Sequence, residues 1–227
     1  MTALPPGQRE RTDFPRFGLG RFAKRFPANP TRRVFSIGGD VATEIAELEP
    51  FDTLDRVDQT ADFHCVTSWS VRNLDWSGIR FADVHRLICE QASPAADAKL
   101  VVFRGQDGYC CALLLDDLLR DGVMLADRLN GEPLGLDHGA PFRLVAPAHY
   151  GFKNVKHIGR IEYWRDARHY RFPFPYPSFM DHPRGRVALE ERGRFFPAWL
   201  LRTLYRLLIP SSVWNFRRAL RKHEGQR

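Results

Sequence analysis

A mixed, strand-rich α+β fold with peripheral helices is what this chain predicts, on three observations. Between residues 34 and 164, short β-prone runs follow one another between Gly, Pro and Asp turn signals. Only two stretches, 81–92 and 197–209, carry the apolar period of an amphipathic helix. The chain has 227 residues, 44% hydrophobic and 27% charged, which is the composition of a globular protein with a sizeable core. Disordered, collagen-like and coiled-coil classes are thereby excluded.

Each element has its own signal. Residues 1–33 are rich in Pro, Gly, Arg and Phe without a sustained period, so they predict an irregular arm wrapped on the domain. Val34–Ile37 predicts a strand closed by the Gly38-Gly39-Asp40 turn, and Asp62–Trp69 a β-prone stretch ending in polar and aromatic residues. In 81–92 the apolar residues Phe81, Val84, Leu87 and Ile88 share one helical face, and Ser93-Pro94 ends the helix. Leu100–Phe103 and Tyr109–Leu115 predict strands on either side of the Asp107-Gly108 turn, with a helical turn from Asp116 to Leu119. Phe142–Ala146 and Ile158–Trp164 complete the strands of a domain placed at 34–164. Residues 165–190 predict an irregular aromatic extension. Pro197–Ile209 follows as a helix with Leu200, Leu204, Leu207 and Leu208 on one side and Arg202 and Arg206 on another.

The net charge of +7 is unevenly spread. Residues 1–33 hold eight basic and two acidic groups, residues 191–227 nine and two, and the middle 17 and 23. An acidic core with basic tails does not match a nucleic-acid-binding domain, whose basic stripe lies on the folded unit. Such tails fit a membrane surface, an acidic partner or simple solvation. No apolar run reaches the length of a membrane span. The N-terminus lacks the apolar region of a secretory signal, and Thr31-Arg32-Arg33-Val34-Phe35 reads as a chance twin-arginine match. Four irregularly spaced cysteines form neither a disulfide framework nor a zinc site. A cytoplasmic location, with peripheral membrane contact through the C-terminal helix, is the expectation.

Three stretches bear chemistry. Cys65 lies between His64 and a Val-Thr-Ser-Trp segment; a thiolate is a soft ligand for a redox metal, although a cysteine on a β-prone segment also serves as a small core residue. His138 and Arg143 flank Gly139 and Pro141, offering donors where the backbone can approach a ligand. Lys153, Asn154 and Lys156 follow Gly151 with backbone amides nearby, a combination that can hold a phosphate.

Taken in order, DFHCVTSWS (62–70), DGY (107–109), GEPL (131–134), HGAPFRLVAP (138–147) and YGFKNVKHIGRIEY (150–163) resemble the molybdopterin-binding domain of the sulfite oxidase family, chiefly its short bacterial members and methionine-sulfoxide reductases. The resemblance runs from about residue 34 to 164 and implies a sulfite-oxidase-type fold carrying a molybdenum–molybdopterin cofactor. It implies that Cys65 is the metal ligand and catalytic residue. It further implies that His138 and Arg143 contact the pterin, and that Lys153, Asn154 and Lys156 hold the terminal phosphate. Oxygen-atom transfer with a small substrate, sulfite- or sulfoxide-like, and electron exchange with a separate redox partner would follow. The arginine-rich segment that sulfite oxidases carry after the ligand cysteine is replaced here by Val66-Thr67-Ser68-Trp69, and the arm shows no counterpart of the reductases' Asn/Tyr cofactor contacts. Tyr109 and the aromatic residues of the extension are candidates to line the pocket by position. A non-catalytic cofactor-binding module, and an adaptor acting through the basic tails, are the alternatives. The tail helix (197–209), with Trp199, Trp214 and the cluster Arg217, Arg218, Arg221 and Lys222 nearby, either docks on a membrane or partner or folds back on the core.

Overall fold

In the computed structural model two sheets share one core. Residues 3–226 are described; Met1, Thr2 and Arg227, at the ends of the arm and the extension, lie outside the described residues. The first sheet contains β1 (Arg9–Glu10), β4 (Arg56–Cys65), β5 (Trp69–Arg80), β8 (Met124–Leu129), β9 (Glu132–Pro133) and β10 (Arg143–Val145). The second is ordered β3 (Ile45–Leu48), β2 (Phe35–Gly39), β11 (Ile158–Trp164), β6 (Leu100–Gly105), β7 (Cys110–Leu114). Within it β2 and β11 run parallel and the remaining pairs antiparallel. Helix α1 (Phe81–Ala92) buries Phe81, Val84, Ile88 and Ala92 between them. It runs over the span its apolar period predicts, and the left-handed Ser93 (φ 46°) ends it; the one-turn α2 (Leu115–Leu118) follows β7.

Strand alternation explains why the first sheet is covered on both faces. Ile79, Leu125 and Leu144 point into the main core with Phe35, Phe142 and Ile161, whereas Trp76, Met124, Ala126 and Val145 point the other way. That second face carries Cys65 and Trp69 and is roofed by Phe14 and Phe17 of the arm. The arm therefore does more than wrap the domain: β1 pairs in parallel with β5 at Trp69 and Ser70, immediately after the Cys65 turn.

Three strands depart from the sequence reading. β5 and β8 lack clean alternation because both of their faces are buried, and β5 bulges at the left-handed Asn73 (φ 52°). β4 extends back to Arg56 through an exposed polar stretch. At the C-terminus α3 (Ala198–Leu207) is followed, after a break at Leu208, by α4 (Ile209–Glu224) with Pro210 in its first turn, a helix which the sequence reading lacks. Helix α3 buries Leu201 and Tyr205, while Leu204, Leu207 and Leu208 stay exposed. The helix thus folds back on the body of the protein through a different face from its leucine stripe.

One buried ion pair ties the arm's end to the sheet. Asp127 on β8 accepts hydrogen bonds from Arg56 (2.6 and 2.9 Å) and Arg33 (2.8 Å). Burial raises the carboxyl's pKa, but these guanidinium bonds outweigh it and hold the group below its ordinary value. Its contribution is complete above the ordinary carboxylate pKa near 3.9 and is lost as pH falls through the lower native value. Asp127→Asn is expected to cost about 2 kcal/mol at pH 7. Urea unfolding of both proteins at pH 7 and pH 3 checks this, the gap narrowing at the lower pH.

Candidate functional site

The β4–β5 hairpin positions Cys65. The register pairs Cys65 with Trp69, leaving a three-residue turn of Val66, Thr67 and Ser68. Ser68 takes the left-handed conformation (φ 74°) and its N–H donates to the Cys65 carbonyl at 3.1 Å. Two distant segments clamp this turn. Gln8 Nε2 donates to the Cys65 carbonyl (3.2 Å), and Arg192 Nη1 donates to the Val66 carbonyl (2.6 Å) and to Ser68 Oγ (3.1 Å). The Sγ of Cys65 lies 3.1 Å from Thr67 Oγ1. Burial raises the thiol pKa, with the Thr67 hydroxyl and the Arg192 and Lys156 charges acting against it. The unliganded side chain is a protonated thiol, which a soft metal would deprotonate on binding.

Cys65 opens onto a cavity of about 350 Å³. Phe14, Phe17, Phe63, Trp69 and Tyr109 supply much of its wall, and Arg16, Asn154, Lys156 and His157 supply polar atoms. The extension closes it with Tyr176, Met180, Tyr205 and Phe216. Tyr109 and aromatic residues of the extension thus stand where their sequence positions placed them.

The other candidates divide into three groups. Lys156 is on the wall, its Nζ donating to the Asp137 carbonyl at 2.7 Å. Arg143 and His138 stand directly behind it. Arg143 is fully buried, donates to the carbonyls of His138 (3.1 Å) and Asn154 (3.3 Å), and lies over the rings of Phe63 and Trp76. His138 stacks on Phe14, pairs Nε2 with Asp137 at 3.1 Å, and leaves a buried Nδ1 with no hydrogen-bond partner among the described residues. Gly139 makes this packing possible: at φ 117°, a Cβ there would lie 3.1 Å from the Cβ atoms of both Arg143 and Lys156.

Lys153 and Asn154 differ from the expectation. The Lys153 ammonium points away from the cavity wall, bonded to the Ala112 carbonyl (2.8 Å) and to Asp181 (3.0 Å). The loop turns at Lys153, so two lysines three apart face opposite sides of it. Asn154 reaches the wall, but its side chain is occupied by the Ala146 N–H and the carbonyls of His149 and Tyr150. It braces the loop.

Sequence reasoning missed Arg16, Gln8 and Arg192, which lie in segments without periodicity. Arg16 is 4% exposed, donates to the carbonyls of Ala23 (2.7 Å) and Arg25 (3.3 Å), and packs on Phe26 and Phe216. Among the described residues, no carboxylate oxygen lies within 4.0 Å of Arg16, Arg143 or Lys156. Desolvation pushes their pKa values down to about 10, 9 and 7 respectively. Three enclosed cations with no carboxylate in direct contact, Asp107 and Asp137 acting on Arg16 and Lys156 only from further off, are costly unless an anion joins them. This cluster fits a phosphorylated ligand. His157 is held neutral, its pKa pushed down to about 3 by burial, with Nδ1 donating to the Ala140 carbonyl at 2.5 Å.

Cys65 also constrains the metal chemistry. No group of three or more His, Cys, Asp or Glu side chains converges to hold a metal ion among the described residues. A single thiol therefore suits a metal that arrives with most of its ligands already supplied, as in an organic metal cofactor.

Comparison with known proteins points the same way. The family model for the oxidoreductase molybdopterin binding domain matches residues 24–171. The chain is 31% identical over 164 residues to the uncharacterized oxidoreductase YuiH of Bacillus subtilis (strain 168), covering 72% of this chain and 80% of YuiH. It is 38% identical over 149 residues to the mitochondrial sulfite oxidase of Drosophila melanogaster, covering 61% of this chain and 23% of that protein. The fold matches the sulfane dehydrogenase SoxCD of Paracoccus pantotrophus with a TM-score of 0.53 at 22% identity, over 63% of this chain and 40% of that one.

Proposed function

The chain belongs to the oxidoreductase molybdopterin-binding domain family, and from that membership we propose that it is a molybdenum-cofactor-dependent enzyme moving an oxygen atom to or from a small sulfite- or sulfoxide-like substrate. Molybdopterin is the cofactor of its fold. One observation carries the reading: the Cys65 thiol and the unpaired cations Arg16 and Lys156 open onto one cavity, with Arg143 directly behind. In this reading Cys65 supplies the soft protein ligand and Lys156, Arg143 and Arg16 balance the cofactor's phosphate. His138 offers its free Nδ1 to the pterin. The bound cofactor supplies two-electron oxygen-atom exchange. The chain's part is to hold Cys65 in a clamped hairpin, to keep the phosphate-facing cations poised, and to exclude water behind aromatic walls. Electrons would pass to or from a separate redox partner.

Turnover in both directions tests this. Cofactor-loaded protein is assayed with ferricyanide and sulfite, and with reduced viologen and a panel of sulfoxides. Cys65-dependent turnover in either direction is expected. Loaded protein inert in both would favour a cofactor-binding module without catalysis.

A further inference from the structure

The C-terminal helices have an inner and an outer face, and only the inner one is explained by the cavity. Leu201 and Tyr205 of α3 and Phe216 of α4 are buried inward. The inner face is fixed further by the Phe26–His223 stack (4.0 Å between ring centroids), and the Arg217–Asp13 ion pair (2.9 Å) ties α4 to the arm from its exposed side. The backbone remains right-handed helical at Leu208, so the periodicity carries across the break from α3 into α4. Opposite the buried residues, Trp199, Leu207 and Trp214 are 62%, 75% and 58% exposed. Arg218, over the Trp214 ring, and Arg221 continue the same stripe.

Large exposed apolar side chains in a row are unusual on a protein surface. Here they coincide with strong positive charge: between 198 and 224 there are six basic residues and one acidic residue, Glu224. Among the described residues Arg206, Arg218, Arg221 and Lys222 have no carboxylate within 4.0 Å. Among the described residues no helix is long and apolar enough to cross a membrane. A tryptophan–leucine ridge set beside arginines is the chemistry of a helix lying in a lipid headgroup layer, the rings at the acyl boundary and the guanidiniums on phosphates. We propose that the outer stripe of α3 and α4 docks this protein on an anionic phospholipid surface. Since Tyr205, Leu208 and Phe216 of the same helices line the cavity, docking sets the closing wall of the site against the membrane.

The test is sedimentation of the full chain with sucrose-loaded vesicles of phosphatidylcholine alone, or with about one third phosphatidylglycerol. Partition onto the anionic vesicles is expected, weakening as salt is raised. Arg218→Glu with Arg221→Glu is expected to lower it at least about tenfold, since each charge near the surface is worth about fivefold. Trp199→Ser is expected to weaken it as well, and both sets are exposed, so an unchanged melting temperature confirms folding. Absent partition, equal partition onto neutral vesicles, or partition untouched by these variants would overturn the proposal. So would a concentration-dependent dimer abolished by the same substitutions, which would assign the stripe to a second copy of the chain.

Discussion

Replacing Cys65 by Ser is expected to reduce turnover by at least about 100-fold, more than the 10–100-fold typical of losing a group that only supports a metal ligand. The hydroxyl is nearly isosteric with the thiol and can share the Thr67 hydroxyl's hydrogen bond, now 3.1 Å from Sγ. The hairpin, clamped by Gln8 and Arg192 through backbone carbonyls and Ser68, makes no demand on sulfur. A melting temperature within a few degrees of the parent is therefore expected alongside the lost activity. The cations proposed to face the phosphate are untouched, so pterin should still be found in the variant. Measured together, turnover, pterin content and thermal unfolding separate a ligand from a core cysteine. Activity retained within tenfold would show that Cys65 is a packing residue.

Lys156→Met is expected to do two opposite things. In cofactor-free protein the ammonium is enclosed beside Arg143 and Arg16, and desolvation brings its pKa from 10.5 down to about 7. Between those values the unfolded chain holds the proton and the folded chain releases it, so the parent gains stability as pH rises from 7 towards 10.5. The Nζ opens onto the cavity and is partly screened, which keeps the gain on the order of 2 kcal/mol. Methionine fills similar space without charge. The variant should lack this rise and be more stable than the parent at pH 6 when cofactor-free. After expression in a host that makes the cofactor it should carry less pterin, having lost a cation facing the phosphate. Urea titrations of both proteins from pH 6 to pH 10, with pterin fluorescence, read both effects. An unchanged pH slope and full pterin content would remove Lys156 from the site.

The sequence announced the parts of this molecule that are buried on one side or bounded by turns. α1 and β11 fall where their periods place them, because each has one clean boundary signal or one apolar face. β5 and β8 were illegible because the first sheet is packed on both faces, which erases the alternation that marks a strand. Cys65, His138, Arg143 and Lys156 were expected from ordered motifs; the fold puts Cys65 and Lys156 on one cavity wall, with Arg143 and His138 packed behind it. For Lys153 spacing alone does not say on which side of a turning loop a lysine emerges; in the structure its ammonium is bonded to Asp181, 28 residues away. Gln8, Arg16 and Arg192 could not be read at all. Gln8 and Arg192 act through backbone carbonyls far along the chain, Arg16 through carbonyls in its own irregular arm, and no periodic pattern records such contacts.

The most direct measurement is the molybdenum and pterin content of the protein purified from a host that makes the cofactor, by elemental analysis and by fluorescence of the released oxidised pterin. About one molybdenum and one pterin per chain are expected, with metal but not pterin falling in Cys65→Ser. Neither metal nor pterin in a folded parent protein would contradict the assignment of the Cys65 cavity as a cofactor site.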